Sequence, residues 1–132
     1  MPGVGKTTWA NKFLENHPKV EWVKHASLES NKYNPLAMKY MPKGQGGMMS
    51  FGVRGGSEKA AEFMEALNMI AIVTHVADAR SCVLHPASTT HRQLSKADLD
   101  AIGIADNLIR LSVGIENAED IIADIEQALN QI

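Results

Sequence analysis

The side chains best suited to chemistry fall in two segments, His85-Pro-Ala-Ser-Thr-Thr-His91 and Arg110-Leu-Ser-Val-Gly-Ile-Glu116. In the run from Leu108 to Val113 the residues alternate, so Ile109, Leu111 and Val113 share one face of a strand and Arg110 and Ser112 share the other. One face can be buried while the other carries a charge. A guanidinium is permanently ionised and presents a planar fork of donors that matches a carboxylate or a phosphate, so an arginine inside an apolar strand calls for an anion. Two partners are open to it: Asp78 or Glu116 in a solvated ion pair, which contributes little, or an anionic ligand from outside.

Other constellations lack the context their chemistry needs. Gly5, Lys6 and Thr7 match the second half of a nucleotide-binding P-loop, but the motif's first glycine and its delivering strand would precede Met1. The turn Pro42-Lys-Gly-Gln-Gly-Gly47 has the glycines of a phosphate cradle without a lysine–threonine pair. His75, Asp78, Cys82 and His85 could be drawn around zinc, yet nothing in their spacing fixes a tetrahedral set, and no metal is expected. Ser88 with His91 has no identifiable orienting acid, and Cys82 sits in an apolar run as a small core residue.

Several longer stretches resemble one family. Asp78-Ala-Arg-Ser-Cys-Val-Leu-His-Pro-Ala-Ser-Thr-Thr-His91, Gly103-Ile and Leu108-Ile-Arg-Leu-Ser-Val-Gly-Ile-Glu116 are joined by His17-Pro-Lys-Val20, Ser27-Leu-Glu-Ser30, Pro42-Lys-Gly44 and Ser50-Phe-Gly-Val-Arg-Gly-Gly56. In order and spacing they resemble the C-terminal domain of the Cys/Met-metabolism enzymes that use pyridoxal phosphate, most closely the O-acetylhomoserine sulfhydrylases. The resemblance covers nearly everything after Thr8. It implies a substrate-binding domain over residues 9–132, preceded by a flexible start over residues 1–8, and a larger cofactor-binding domain elsewhere. It also implies replacement of the acetoxy group of O-acetylhomoserine by sulfide or methanethiol, with related γ-lyases, cystathionine-forming enzymes and a non-catalytic remnant as the alternatives.

Roles follow one position at a time. Arg110 stands where the family grips the substrate's α-carboxylate, and Ser88 and Thr90 lie in the matching stretch that would position it. His75 stands where similar sulfhydrylases carry asparagine and lyases carry serine, so a larger group that titrates near neutrality replaces a small polar one. Ala77 replaces an expected glycine, which could strain the loop before Asp78. The lysine that holds pyridoxal phosphate, the acid on its ring nitrogen and its phosphate cradle belong to the larger domain, and no segment here matches them. The chain alone is therefore expected to contain no catalytic or cofactor-binding residue and to be inactive. The family further implies a homo-oligomer, a tetramer, and the cytoplasm is the expected compartment.

Composition limits the alternatives. At 132 residues and 45% apolar the chain can build one core. A formal charge of −2, without a lysine or arginine cluster, argues against a nucleic-acid groove or an anionic membrane surface. One cysteine precludes an internal disulfide and fits a reducing compartment. No apolar run reaches the ~20 residues that a bilayer requires.

The elements that must hold Arg110 alternate between strand and helix. A helix over Thr8–Asn16 would bury Trp9, Ala10, Phe13 and Leu14, and Val20–Val23 would follow as a strand. Pro35 would open a short helix ending near Tyr40. Met49, Phe51 and Val53 would face the core from the next strand, and Ser57 would cap a helix burying Ala60, Phe63, Met64 and Leu67. Met69–Val73 reads as a buried strand and Ser81–Leu84 as another. Ser95 and Asp98 form a capping box for a short helix that Gly103 ends. Asn117 would cap a last helix burying Ile121, Ile122, Ile125, Ala128 and Leu129. The expected fold is an α/β domain in two layers, a small mixed or mostly antiparallel sheet with helices on one face, leaving Arg110 and Ser112 pointing away from the helices.

Overall fold

The computed structural model describes residues 5–75 and 77–132. Apolar alternation produces five strands: β1 (Val20–Lys24), β2 (Met48–Val53), β3 (Ala71–Ile72), β4 (Cys82–Leu84) and β5 (Leu108–Ser112). They form one sheet in the order β1-β2-β5-β4-β3. All neighbours run antiparallel except β3 and β4, so the sheet is mixed and mostly antiparallel as expected. Helices α1 (Lys6–Glu15), α3 (Gly56–Glu65) and α5 (Ala118–Leu129) pack against the sheet or one another. Between them lie Leu14, Met49, Phe51, Val53, Phe63, Ile109, Leu111, Ile121, Ile125 and Leu129, all essentially inaccessible. Phe51 and Phe63 meet edge to face across the two layers.

Local signals account for most boundaries. Asn117 caps α5 by accepting the Glu119 N–H, and Ser95 with Asp98 completes the capping box of α4 (Lys96–Ala101). Pro35 opens α2 (Asn34–Tyr40). Among the described residues no helix is long and apolar enough to cross a membrane.

Other expectations are corrected. In α1 the buried positions are Thr7, Ala10, Asn11 and Leu14, while Trp9 is 55% exposed. The helix turns Trp9 aside because two polar residues complete the inward stripe. Lys6, Thr7 and Thr8 form its first turn, so the helix reaches into the segment expected as a flexible start, of which residues 1–4 lie outside the described part. Ser57 does not cap α3; the N-cap lies two residues earlier, at Gly55 with φ 101°, a conformation that glycine adopts without strain. The segment Met69–Val73 is not a buried strand. Only Ala71 and Ile72 pair, at the sheet edge, and Ile72 is 48% exposed. Just before them, the Asp124 carboxylate of α5 accepts the N–H groups of Asn68, Met69 and Ile70, which removes those donors from any ladder.

Candidate functional site

The strand register defines the face that the packed helices leave open. Antiparallel partners point to the same side of a sheet. One row on that side therefore runs Lys24, Ser50, Arg110, Leu84 across β1, β2, β5 and β4. A second runs Trp22, Gly52, Leu108, and a third Met48, Ser112, Cys82. Arg110 thus sits in the middle row of the central strand, opposite the helical layer, as the alternation of β5 predicts. It is half-buried.

Neither expected acidic partner reaches it. Asp78 pairs with Arg80, Oδ2 to Nη2 at 2.9 Å. This side-chain hydrogen bond, together with the Arg80 N–H, holds the Asp78 carboxyl down to about 2. Glu116 accepts the Ser81 N–H at 2.6 Å and the Ser81 hydroxyl at 2.9 Å. Among the described residues Arg110 makes no ion pair. A permanent cation on an uncovered sheet face without an internal counter-charge is available to an external anion.

The β4 end of the same face is already covered. Cys82 and Leu84 are buried, and the single 3-10 turn Pro86–Ser88 packs against β5. His85 anchors that turn from a fully buried position. Its Nε2 must donate to the carbonyl of Asp106 (2.6 Å), because a carbonyl only accepts, while Nδ1 meets the Ser88 hydroxyl at 2.8 Å. The Thr89 hydroxyl donates to the His85 carbonyl. Thr90 pairs with Nδ1 of His91 (2.8 Å). Ser88 and Thr90 are therefore exposed members of a turn that flanks β5, engaged with imidazoles rather than with Arg110. His75 is exposed and follows β3, which runs parallel to β4 toward the Leu84–Arg110 end of the sheet.

Sequence reasoning missed the neighbours of Arg110. Ser50 was legible as an outward residue of β2, but only the register brings it across from Arg110. Trp22 lies over Gly52, whose missing side chain makes room for the indole; a Cβ there would overlap Trp22 Nε1 and stand 2.8 Å from Asn107 Nδ2. Lys24 stacks its ammonium 4.9 Å from the Trp22 ring.

A separate cavity of about 670 Å³ opens at the start of α1. Thr7, His25, Ser27, Met38, Gly47 and Ile115 are among its walls, whereas Arg110, Ser88, Thr90 and His75 are not. Lys6 donates to the Ile115 carbonyl at 2.7 Å and Thr7 is buried, so the P-loop-like residues are committed to structure. Pyridoxal phosphate requires an amine beside a phosphate cradle. Lys24, the lysine in the Arg110 row, is exposed and engaged with Trp22. That row therefore presents no free amine to the cofactor; what it presents is a grip on an anion.

Comparison with known proteins identifies the family. The profile of the family described as Cys/Met metabolism PLP-dependent enzyme matches residues 7–130. The chain is 41% identical to the O-acetyl-L-homoserine sulfhydrylase of Leptospira meyeri over 91% of its own length and 27% of that protein's. It is 44% identical to the homocysteine synthase of Schizosaccharomyces pombe, covering 89% of this chain and 28% of that one. The L-methionine gamma-lyase of Fusobacterium nucleatum subsp. polymorphum is 42% identical, covering 91% and 30%. A crystal structure of a putative O-acetylhomoserine (thiol)-lyase from Campylobacter jejuni, which carries N'-pyridoxyl-lysine-5'-monophosphate, superposes with a TM-score of 0.89 at 35% identity, over 96% of this chain and 30% of that one. The chain thus spans under a third of the length of these relatives. With its sheet, its open face and these matches taken together, the chain belongs to the Cys/Met-metabolism family of pyridoxal-phosphate-dependent enzymes.

Proposed function

We propose that this chain is the carboxylate-gripping part of an enzyme that replaces the acetoxy group of O-acetyl-L-homoserine by sulfide or methanethiol. The observation that supports it most is Arg110, a fixed cation on the open sheet face with no acidic partner among the described residues. A bidentate guanidinium–carboxylate contact orients an amino acid in two dimensions, and orientation of this kind lowers a barrier without any group moving. Ser88 and Thr90 border that position on the turn beside β5, and His75 lies beyond the end of β3, where it would sense the substrate's polar end. Pyridoxal phosphate, when held by the larger portion of the family fold, supplies the electron sink for the chemistry. The working enzyme in this proposal is a cytoplasmic homo-oligomer, tetrameric as in the family.

A γ-lyase is the second reading, favoured by the 42% identity to a protein named L-methionine gamma-lyase. The two are separated by joining this chain to the remaining part of the Leptospira relative and assaying two reactions. The first reading predicts homocysteine from O-acetylhomoserine and sulfide; release of methanethiol from methionine with no homocysteine formation would replace it by the second. The 132-residue chain alone, mixed with pyridoxal phosphate, is expected to give no visible lysine-linked absorption band. A band abolished by changing one lysine would contradict that.

A further inference from the structure

The cavity of about 670 Å³ at the start of α1 has the size of a small-molecule site, and the proposed function makes no use of it. Its lining is divided. Thr7, Thr8 and Lys43 bring hydrogen-bond donors, while Met38, Pro42, Val113 and Ile115 bring apolar surface. Among its described walls the one carboxylate, Asp78, is matched by Arg80 at 2.9 Å. Lys43 makes no ion pair among the described residues, so the net charge on the lining is positive.

Two independent features of α1 bear on what this cavity holds. The helix has ten residues, its N-cap Gly5 supplies no side-chain acceptor, and the Trp9 N–H bonds back to the Gly5 carbonyl. The N–H groups of Thr7 and Thr8, one turn short of that bond, have no acceptor among the described residues and lie at the positive end of the helix dipole. The second feature is the Thr7 side chain. It is only 8% exposed, yet its hydroxyl has no hydrogen-bond partner among the described residues, so burial fixes the group without satisfying it. Gly47 stands across from it: a Cβ there would lie 3.9 Å from Thr7 Oγ1, and the missing side chain keeps the space before the hydroxyl clear. Free helix N–H groups, a buried hydroxyl and an ammonium on one cavity call for an anion. A phosphate monoester, with its several acceptor oxygens and a charge of about −1.5 to −2, engages such a set more fully than a carboxylate. We infer that the cavity binds a small organic phosphate. Its phosphoryl oxygens meet the N–H groups of Thr7 and Thr8, the Thr7 hydroxyl and Lys43, and its organic body lies on Met38, Pro42, Val113 and Ile115. Lys6 has no part in this, because the Ile115 carbonyl holds it. Arg110 is not among the walls, so the inference does not rest on the proposed function.

The test titrates the whole 132-residue chain with inorganic phosphate and with phenyl phosphate, following the backbone amide resonances of Thr7, Thr8 and Gly47. Both probes should shift these resonances saturably, phenyl phosphate with a midpoint about 10-fold lower because its ring adds apolar contact. Thr7→Val keeps the side-chain shape and removes the hydroxyl, and should raise the phenyl phosphate midpoint about 10-fold; Lys43→Gln should raise it about 5-fold. Thr7→Ser, which retains the hydroxyl, should bind as the parent does, so a folding defect in Thr7→Val leaves Thr7→Ser and Lys43→Gln to decide. Arg110→Gln should leave the midpoint unchanged, so a failed carboxylate grip and a failed cavity give different results. The inference is overturned if neither probe shifts these resonances, or if Thr7→Val and Lys43→Gln both leave the midpoints as they are. It is equally overturned if the two probes share one midpoint, since the apolar walls would then hold nothing, or if Arg110→Gln abolishes the shifts, which would place the anion on the sheet face.

Discussion

Glu116 directs both carboxylate oxygens at Ser81, one to its N–H and one to its hydroxyl, and so ties the exit of β5 to the entry of β4. Ser81 Oγ also accepts the Gly114 N–H at 2.9 Å, and Gly114 is packed so tightly against this pair that a side chain there would collide with Ser81 N and Arg80. The clamp engages Glu116 with Ser81 and not with Arg110.

Glu116→Gln and Ser81→Ala are each expected to cost about 1–2 kcal/mol in urea denaturation, because each leaves a partly buried polar group unpaired. The double variant should cost less than their sum, since both remove the same contact. Burial works against the Glu116 charge, but the Ser81 N–H, its own N–H, the Ser81 hydroxyl and nearby Lys6 outweigh it and hold the carboxyl below its ordinary value. A depressed carboxylate stabilises the fold fully above the unfolded value of about 4.3 and loses that contribution as pH falls through the folded value. Stability should therefore fall more steeply below about pH 4.3 in the parent than in Glu116→Gln; equal slopes would show that the clamp is energetically idle.

His25 gives a second acid-sensitive step. It is buried, its Nε2 faces the Gly46 carbonyl, and its Nδ1 receives both the Ser27 N–H and, at 2.7 Å, the Ser27 hydroxyl. Protonation would place a third hydrogen among those donors. Burial lowers its pKa, partly offset by the Gly46 carbonyl. With the folded value below the unfolded one of about 6.5, the stabilisation is complete above that pH and is lost on acidification through the folded value. His17, also lowered by burial, adds in the same direction. Tm is expected to drop as the pH falls below about 6.5, and to drop less in His25→Gln; the same drop in the variant would remove His25 from the account.

Ala77 is the one non-glycine among the described residues with a positive φ, 62°. An L side chain in this region strains the backbone by about 1–2 kcal/mol, which glycine escapes at some cost in unfolded-state entropy. Ala77→Gly should stabilise the chain by about 0.5–1 kcal/mol in a denaturant titration. No gain, or a loss, would mean that the loop is not strained there.

Much of the fold was legible where side-chain period and capping chemistry coincide. β5 alternates cleanly, Asn117 and Ser95 cap the helices they precede, and the missing helical layer behind Arg110 followed from the direction of Ile109 and Leu111. The short edge strand was not legible, because Met69–Val73 is apolar enough to look buried. Its backbone donors are instead taken by Asp124, a carboxylate at the inward spacing of α5 that Ile121 and Ile125 mark as core. Register was out of reach as well: Ser50 and Lys24 join the Arg110 row only through pairings between segments far apart in sequence. The partners of the turn hydroxyls were also out of reach: Ser88 hydrogen-bonds His85 and Thr90 hydrogen-bonds His91.

The central claim is that the Arg110 guanidinium, two-pronged and without an ion pair among the described residues, holds a substrate carboxylate. It is tested most directly in the protein formed by joining this chain to the Leptospira relative's remaining part, by comparing Arg110→Lys with the parent for KM, kcat and cofactor absorbance. Lysine keeps the charge but loses the fork, so KM for O-acetylhomoserine should rise about 30-fold or more, as expected for about 2 kcal/mol of lost charge-assisted contact, with the cofactor band unchanged. An unaltered KM beside an intact band would contradict the claim.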